Sequence, residues 1–279
     1  MLSRQCSILA NLAASFVIFG TTAAFSLESP WVSTSNADVR LLAAGPPSSG
    51  TPIRAGLQIR LARGWHTYWR YPGDAGVPPR LDWSASTNVA DVQVRWPAPE
   101  RIPLEGGLGS IGYHGDIILP LQVRPKDPAR SVSLRVKLDF GVCEKICIPA
   151  EAKTALDIPA GFAVKNALLD TADARVPAAA TLGKTKTLGI VSVKLERHAT
   201  PRALIEVAVP PGKTFDLFAE GPTDDWALPL PTRIEAGNGR ARFTLPIEGA
   251  PTGAKPIPSK LRLTLVAGDE AIEVLTPLD

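Results

Sequence analysis

Two cysteines lie four positions apart in the segment "DFGVCEKICIPAEA", as Cys143 and Cys147. The chain has only three cysteines, and the third, Cys6, lies near the N-terminus. A close pair of cysteines has three chemical uses: a structural disulfide, a metal site built on two thiolates, or a dithiol that is oxidised and reduced in turn. Other features of the sequence distinguish among these three uses.

The first 26 residues are typical of a secretory signal peptide. Arg4 supplies a positive charge, a mostly apolar run follows over residues 8–20, and the small residues of "TTAAFS" suit cleavage. The apolar run is shorter than the ~20 residues that span a bilayer, and Asn11 interrupts it. We therefore expect an exported, soluble protein that loses Cys6 with its signal. The two remaining cysteines then meet an oxidising compartment, where a disulfide is the default state.

Composition excludes some classes of function. The formal charge is +3, from 30 Lys and Arg against 27 Asp and Glu, and no basic run is present. This balance argues against a nucleic-acid partner. The chain is rich in turn formers, with 27 prolines and 23 glycines, which separate short segments rather than form a repeat.

Most of these segments alternate apolar and polar residues, as half-buried β-strands do. Two of them come before the cysteines ("IRAGLQIRL", "SVSLRVKLDF") and one comes directly after them ("KTALDIP"). Five more lie further along the chain ("LGIVSVKLE", "ALIEVAVP", "FDLFAEG", "ARFTLPI", "KLRLTLVA"). Between the two series, "GFAVKNALLDTADARVPAA" predicts a short helix that ends near Pro177. The pattern predicts an all-β protein with two immunoglobulin-like β-sandwich domains, joined by a short helix and linker. We expect a signal peptide over 1–26, the cysteine domain over 27–160, the helix and linker over 161–183, and the second sandwich over 184–279.

Disulfide geometry requires a turn between the cysteines. Residues i and i+4 of one extended strand lie ~13 Å apart, whereas the Cα atoms of a disulfide lie about 4.4–6.8 Å apart. Alternating segments on both sides predict a tight hairpin or loop that turns at 144–146, with one cysteine on each side. Closing so short a loop stabilises a fold by roughly 2 kcal/mol. Because a disulfide here joins near neighbours, it adds little stability to the fold. The pair therefore suits a reversible dithiol better than a structural disulfide.

The metal alternative lacks further ligands. Besides the cysteines the chain offers only His66, His114 and His198, and its single methionine is the initiator, which disfavours copper(I) binding. We therefore predict no metal and no cofactor. Lys145 inside the hairpin would favour a thiolate and Glu144 would oppose it, so the local charges do not decide the acidity of the thiols.

An aromatic cluster stands in "GWHTYWRYPGDAGVPP". Burial in the core suffices to explain Trp65 and Trp69. The polar tail "RYPGDAG" predicts a surface loop that shapes a docking face for a partner, and a carbohydrate platform is the rival interpretation of these aromatics. The chain has no Gly-x-Ser-x-Gly, phosphate-loop or His-Glu-x-x-His motif.

Four segments, taken in order, resemble the N-terminal periplasmic domain of the DsbD/ScsB thiol:disulfide interchange family: "GWHTYWRYPGDAGVPPRLDW", "VRWPAPERI", "GSIGYHGDIILPLQV" and "GVCEKICIPAEA". The match is closest to the ScsB-like branch, which is associated with suppression of copper sensitivity. The resemblance implies an immunoglobulin-like periplasmic domain whose redox-active pair is Cys143 and Cys147. Such a domain accepts electrons from a membrane-embedded thiol reductase and passes them to periplasmic thioredoxin-like proteins. It also implies that Cys147 bonds the partner and Cys143 resolves the mixed disulfide.

Members of this family shield the reduced pair with a cap loop, and "LGSIGYHGD" around Ile111 and Tyr113 is the segment most like it. The spacing between the cysteines is shorter here than in the DsbD type. The chain also ends without a transmembrane electron channel or a thioredoxin-like domain, so we expect a free-standing shuttle that uses separate partners. The residues expected to form the cap or support the pair are Ile111, Tyr113, His114, Glu144, Lys145, Tyr68 and Trp69.

Two other functions remain open from the sequence. One is a non-enzymatic periplasmic binding or chaperone-like sandwich with a structural disulfide, and the other is a copper-tolerance protein that binds copper through the reduced pair. The reduction potential separates the first of these from an exchange protein, because structural disulfides lie below ≈ −300 mV.

Overall fold

The computed structural model describes residues 27–45, 51–103, 109–184, 187–197 and 199–278. The predicted signal peptide, Cys6 and His198 lie outside these ranges. Within them the chain forms twenty strands and one helix, and the strands make four sheets. The prediction of an all-β protein is therefore confirmed.

The two sheets nearest the N-terminus face each other across one apolar core. The first has the order β1-β3-β4-β10-β7, with β2 paired to β3. The second has the order β12-β11-β5-β9-β8, with β6 paired to β11. The strands of the first sheet are β1 (Leu27–Glu28), β2 (Val32–Ser33), β3 (Ala37–Ala44), β4 (Ile53–Leu61), β7 (Val89–Val94) and β10 (Asp116–Pro125). Those of the second are β5 (His66–Gly73), β6 (Arg80–Asp82), β8 (Glu100–Pro103), β9 (Gly109–His114), β11 (Val132–Cys143) and β12 (Cys147–Ile158).

Strand β11 shows why these segments fold as sheets. Its apolar side chains alternate with polar ones, so that one face enters the core while the other meets solvent. Leu134 and Leu138 are fully buried, and burying such a side chain contributes roughly 1.5–3 kcal/mol. The alternation read from "SVSLRVKLDF" is confirmed and continues to Val142; Cys143, on the opposite face, is also buried and ends the strand.

The single helix, α1, spans Ala167–Ala174 and ends shortly before Pro177, as predicted. The Asn166 side chain caps its N-terminus by accepting a hydrogen bond from the Leu168 backbone N–H. Leu169 is buried against the outer face of the first sheet. Arg54 from β4 lies 2.7 Å from the carboxylates of both Asp170 and Asp173, which fixes the helix to that sheet.

The C-terminal half of the chain forms the other two sheets around a second apolar core. One sheet has the order β13-β20-β19-β16 and the other has the order β14-β15-β18-β17. Their strands are β13 (Ala178–Ala179), β14 (Gly189–Glu196), β15 (Arg202–Ala208), β16 (Phe215–Glu220), β17 (Thr232–Gly237), β18 (Arg240–Pro246), β19 (Lys260–Ala267) and β20 (Glu270–Pro277). All five alternating segments noted in this half form strands here.

The two halves meet at an interface built around the end of β5. Arg70 donates two hydrogen bonds to Glu220, at 2.8 and 2.7 Å, and a third to Glu273 at 2.5 Å. Burial alone would lower the pKa of Arg70, but the two carboxylates more than reverse this and the pKa is raised. The neighbouring Trp69 is fully buried against Phe218 of the second half, with ring centroids 6.1 Å apart.

We predict that Arg70→Ala lowers the free energy of unfolding by about 2–3 kcal/mol, because it leaves Glu220 and Glu273 partly buried without a cation. Arg262→Ala is the matched control. Arg262 also binds Glu273, but it is 44% exposed, so its loss should cost under about 1 kcal/mol. Urea unfolding of both variants checks this, and equal losses would show that Arg70 has no special place in the interface.

Candidate functional site

The cysteines lie at the tip of the β11–β12 hairpin. The two strands pair without a register shift from Val132–Ile158 to Cys143–Cys147, and the turn is closed by a 3.2 Å hydrogen bond from Glu144 N to Ile146 O. Cys143 and Cys147 form a disulfide, with their Cα atoms 4.1 Å apart. The predicted hairpin with one cysteine on each side is confirmed.

The two sulfurs have different surroundings. Cys143, at the end of β11, is 1% exposed, whereas Cys147, at the start of β12, is exposed to solvent. Thiol–disulfide exchange begins with attack of a thiolate on one sulfur, and access decides which sulfur is attacked. Of the two sulfurs, Cys147 is therefore the one that an incoming thiolate can reach.

A tyrosine hydroxyl contacts both sulfurs. The Tyr68 oxygen lies 2.9 Å from Cys147 Sγ and 3.1 Å from Cys143 Sγ. Disulfide sulfurs carry no hydrogen, so the hydroxyl is the donor. Burial raises the pKa of Tyr68, although a hydrogen bond with Ser110 opposes the shift. The phenol consequently stays neutral at physiological pH and remains able to donate to a thiolate when the disulfide is reduced.

Two glycines make the slot that holds this tyrosine. Gly141 lies opposite Tyr68 on β11, and a Cβ added there would be 2.9 Å from the ring. Gly76, in the loop after β5, would place a Cβ 2.6 Å from the other edge of the ring. Both distances are too short for a side chain, so glycine is required on each side of the ring. In the sequence, "YPGDAG" indicated a loop close to this tyrosine. Nothing around Gly141 indicated that it faces the tyrosine ring.

The strand register aligns four side chains in one row across the second sheet. Cys147 pairs with Cys143, Cys143 pairs with His66 on β5, and His66 pairs with His114 on β9. We call these four residues the cysteine row. His66 is buried and its Nε2 has no hydrogen-bond partner among the described residues, whereas His114 Nδ1 lies 2.7 Å from Glu100. Burial lowers the pKa of His66, nearby His114 lowers it further, and Glu100 raises it.

A groove of about 1190 Å³ opens beside the disulfide. Its walls are the hairpin tip and the loop after β5, and both cysteines, Tyr68 and His66 line it. Ile146 at the tip is 69% exposed, and Val77 in the loop is 59% exposed. Exposed apolar side chains next to an exposed sulfur are suited to contact with another protein.

The cap prediction is wrong for the two residues that it named. Ile111 and Tyr113 lie on strand β9, which pairs with β5 and β8, and both side chains point into the core. The Tyr113 hydroxyl donates to the Pro97 carbonyl at 2.8 Å. The glycines of "GSIGYHGD" suggested a loop, but Gly112 is needed because a Cβ there would lie 2.0 Å from the Thr67 carbonyl oxygen. Leu108, the first residue of the predicted cap segment, lies outside the described residues.

The other predicted residues are divided between the site and the core. Tyr68 contacts both sulfurs, and Glu144 and Lys145 form the hairpin turn and line the groove. His114 lies at the far end of the cysteine row, and Trp69 belongs to the interface with the second half. Sequence reasoning considered His66 only as a metal ligand and missed its place beside Cys143.

Clusters that could hold a metal ion and helices that could span a membrane are both absent from the described ranges. No three His, Cys, Asp or Glu side chains converge there in a group that could hold a metal ion. None of the helical structure there is long and apolar enough to cross a membrane.

Residues 38–159 match the family model of the N-terminal domain of the thiol:disulfide interchange protein DsbD. This part of the chain is similar to the DsbD N-terminal domain. Comparison with curated proteins gave no match. The N-terminal periplasmic domain of ScsB from Proteus mirabilis superposes with a TM-score of 0.69 at 20% identity, over 91% of this chain and 99% of that one. At this identity the superposition shows a shared fold. The DsbD match includes both cysteines, so their disulfide marks a thiol:disulfide interchange domain.

We predict that Tyr68→Phe slows alkylation of the reduced DsbD-like domain at pH 7 by about 10- to 100-fold. A hydrogen bond to a charged acceptor contributes about 1.5–3 kcal/mol, and each 1.36 kcal/mol changes the thiolate population tenfold. Tyr113→Phe is the matched control, because that hydroxyl is bonded to Pro97 away from the sulfurs. If both variants react at the wild-type rate, the Tyr68 hydroxyl does not stabilise a thiolate.

Proposed function

We propose that this chain is a periplasmic thiol:disulfide interchange protein. It accepts electrons from a membrane-embedded thiol reductase and passes them through Cys143 and Cys147 to thioredoxin-like proteins. The observation that supports this proposal most strongly is the asymmetric disulfide at the hairpin tip, with one exposed sulfur and one buried sulfur. The exported location rests on the predicted signal peptide, and the partners rest on the family resemblance.

The exchange needs no cofactor. In the reduced protein the Cys147 thiolate attacks one sulfur of a partner disulfide, and the other partner sulfur leaves as a thiolate. Cys143 then attacks Cys147 Sγ, which re-forms the intramolecular disulfide and releases the second partner sulfur. Two electrons have passed to the partner. The same steps in reverse load the pair from a reductase.

The hairpin suits a reversible bond better than a structural one. Twelve consecutive residue pairs already hold β11 and β12 in register, so the disulfide joins two positions that the sheet has brought together. The chain-entropy estimate for so short a loop is roughly 2 kcal/mol. The sandwich core, which lies mainly away from the hairpin tip, does not depend on this bond, so reduction should leave the fold intact.

The groove offers a small docking surface. Val77 lines the groove with an exposed apolar side chain, Glu144 and Lys145 line it with opposite charges, and the exposed Ile146 directly precedes Cys147 in the chain. A shuttle protein has to release each partner quickly, and a small interface of under about 1,200 Å² fits such a transient contact.

Trapping tests the proposal directly. We predict that Cys143→Ala, which keeps the exposed Cys147 but cannot resolve, accumulates a mixed disulfide with a periplasmic thioredoxin-like protein. The matched control is Cys147→Ala, which keeps only the buried sulfur and should trap at least about tenfold less, since access governs the first attack.

Non-reducing electrophoresis and mass spectrometry of periplasmic extracts from both strains give the measurement. Absence of a thioredoxin-like adduct on Cys143→Ala, when the variant is folded and its thiol reacts with small reagents, would contradict the proposed function.

A further inference from the structure

The buried His66 lies beside the disulfide and has no role in the exchange steps described above. It is 4% exposed, it lies directly opposite Cys143 in the sheet, and it lines the same groove as both sulfurs. Directly opposed residues of antiparallel strands have their Cβ atoms about 4.5–5.5 Å apart on the same face. Its Nε2 is enclosed and has no hydrogen-bond partner in the part of the chain that the structure describes, which is unusual for a buried polar atom.

The second step of exchange requires the removal of a buried proton. Cys143 can resolve a mixed disulfide only as a thiolate, because the thiol is a poor nucleophile. Its burial disfavours the charged form, and solvent cannot easily collect the proton. A group next to Cys143 that accepts this proton would remove the obstacle.

We propose that His66 is the base that takes the proton from Cys143 as this sulfur attacks the mixed disulfide. The inference rests on the proposed function, since it assigns a residue to the resolving step. Once the disulfide is reduced, the Cys143 side chain is free to rotate about its Cα–Cβ bond toward its cross-strand neighbour. A neighbouring base activates the nucleophilic thiol of many enzymes in the same way, although here the thiol is the resolving one.

One proton and one electron pair leave the Cys143 thiol in this step. The Cys143 S–H proton passes to His66 Nε2, in the tautomer that carries hydrogen on Nδ1. The sulfur electron pair forms the bond to Cys147 Sγ, and the bond from Cys147 to the partner breaks with its electrons on the partner sulfur. The imidazolium then gives its proton to water in the groove that His66 lines, and in the reverse direction it returns one to the leaving Cys143.

The surrounding groups fit this role. His66 has a lowered pKa, from burial first and then from His114, so it is neutral and able to accept a proton at pH 7. Glu100 on β8 opposes the shift and stabilises the imidazolium once it forms. Tyr68 has a raised pKa and carries its own proton, so it donates to the thiolate and cannot act as the base. On the hairpin, the Glu144 side chain is exposed and lies toward Gly64.

Ellman's reagent separates the two steps in one experiment. Reduced protein releases a first thionitrobenzoate when Cys147 attacks the reagent, and a second when Cys143 resolves the adduct. Stopped-flow absorbance at 412 nm resolves the two releases, which we would follow between pH 5 and pH 10 in the wild type, His66→Asn and His114→Asn. The reagent replaces any protein partner.

His66→Asn should keep the first rate within about twofold and slow the second by roughly 100-fold at pH 7, within the 10²–10⁴-fold range of general-base catalysis. In the wild type, the rate of the second release should rise with pH as a group that titrates below 6.5 loses its proton, and should then level off. Resolution in His66→Asn should instead keep rising with thiolate formation and approach the wild type at high pH. His114→Asn should keep the wild-type rate of the second release at neutral pH. The midpoint of its pH profile should be higher, because a neighbour that lowers the pKa of His66 is gone.

Equal second-phase rates for His66→Asn and the wild type at pH 7 would overturn the proposal. If His66→Asn does not fold, the wild-type profile decides alone, and the absence of a limb below pH 6.5 in the second release rules His66 out. A failure of partner trapping would contradict the proposed function and leave this result unaffected, because no thioredoxin-like protein is present.

Discussion

The pairing of β11 with its two neighbours is the constraint on which the site depends. Cys143 is the residue at which β11 meets β12 on one side and β5 on the other. Because side chains alternate along strands, a shift of one residue would turn Cys143 away from both His66 and Cys147. The same register places Gly141 opposite Tyr68, where only glycine leaves room for the ring. A single pairing therefore positions the sulfurs, the hydroxyl and the imidazole together.

Strand β5 joins this site to the rest of the molecule. Its first half supplies His66 and Tyr68 to the disulfide, and the next residues, Trp69 and Arg70, contact the second half of the chain. The second half thus braces the strand that holds the redox groups. The Tyr71 hydroxyl, which donates to the Leu228 carbonyl, adds a further bond at the same boundary. A base that must lie within reach of a sulfur benefits from such rigid support.

Local patterns predicted the sandwich strands and the hairpin, because alternation and the reach of a disulfide are properties of neighbouring residues. The groups around the sulfurs depend instead on pairing between distant segments. Tyr68 and Cys143 are separated by 75 positions, and the local pattern around either one does not indicate that they meet; only the family resemblance associated Tyr68 with the pair. The assignment of Ile111 to a cap failed for a related reason. The glycines of that segment are typical of a loop, but Gly112 lies on a strand and is required because the Thr67 backbone passes so close. The apolar Ile111 and Tyr113 alternate with the glycines as core residues of a strand.

The central claim is that the bond between Cys143 and Cys147 is made and broken in use. Its reduction potential tests this most directly, by equilibration of the mature protein with dithiothreitol or glutathione buffers and quantification of free thiols. The account predicts a two-electron couple with a potential above ≈ −300 mV, with the folded structure retained in the reduced form. A potential below that value, together with unfolding on reduction, would identify a structural disulfide and contradict the account.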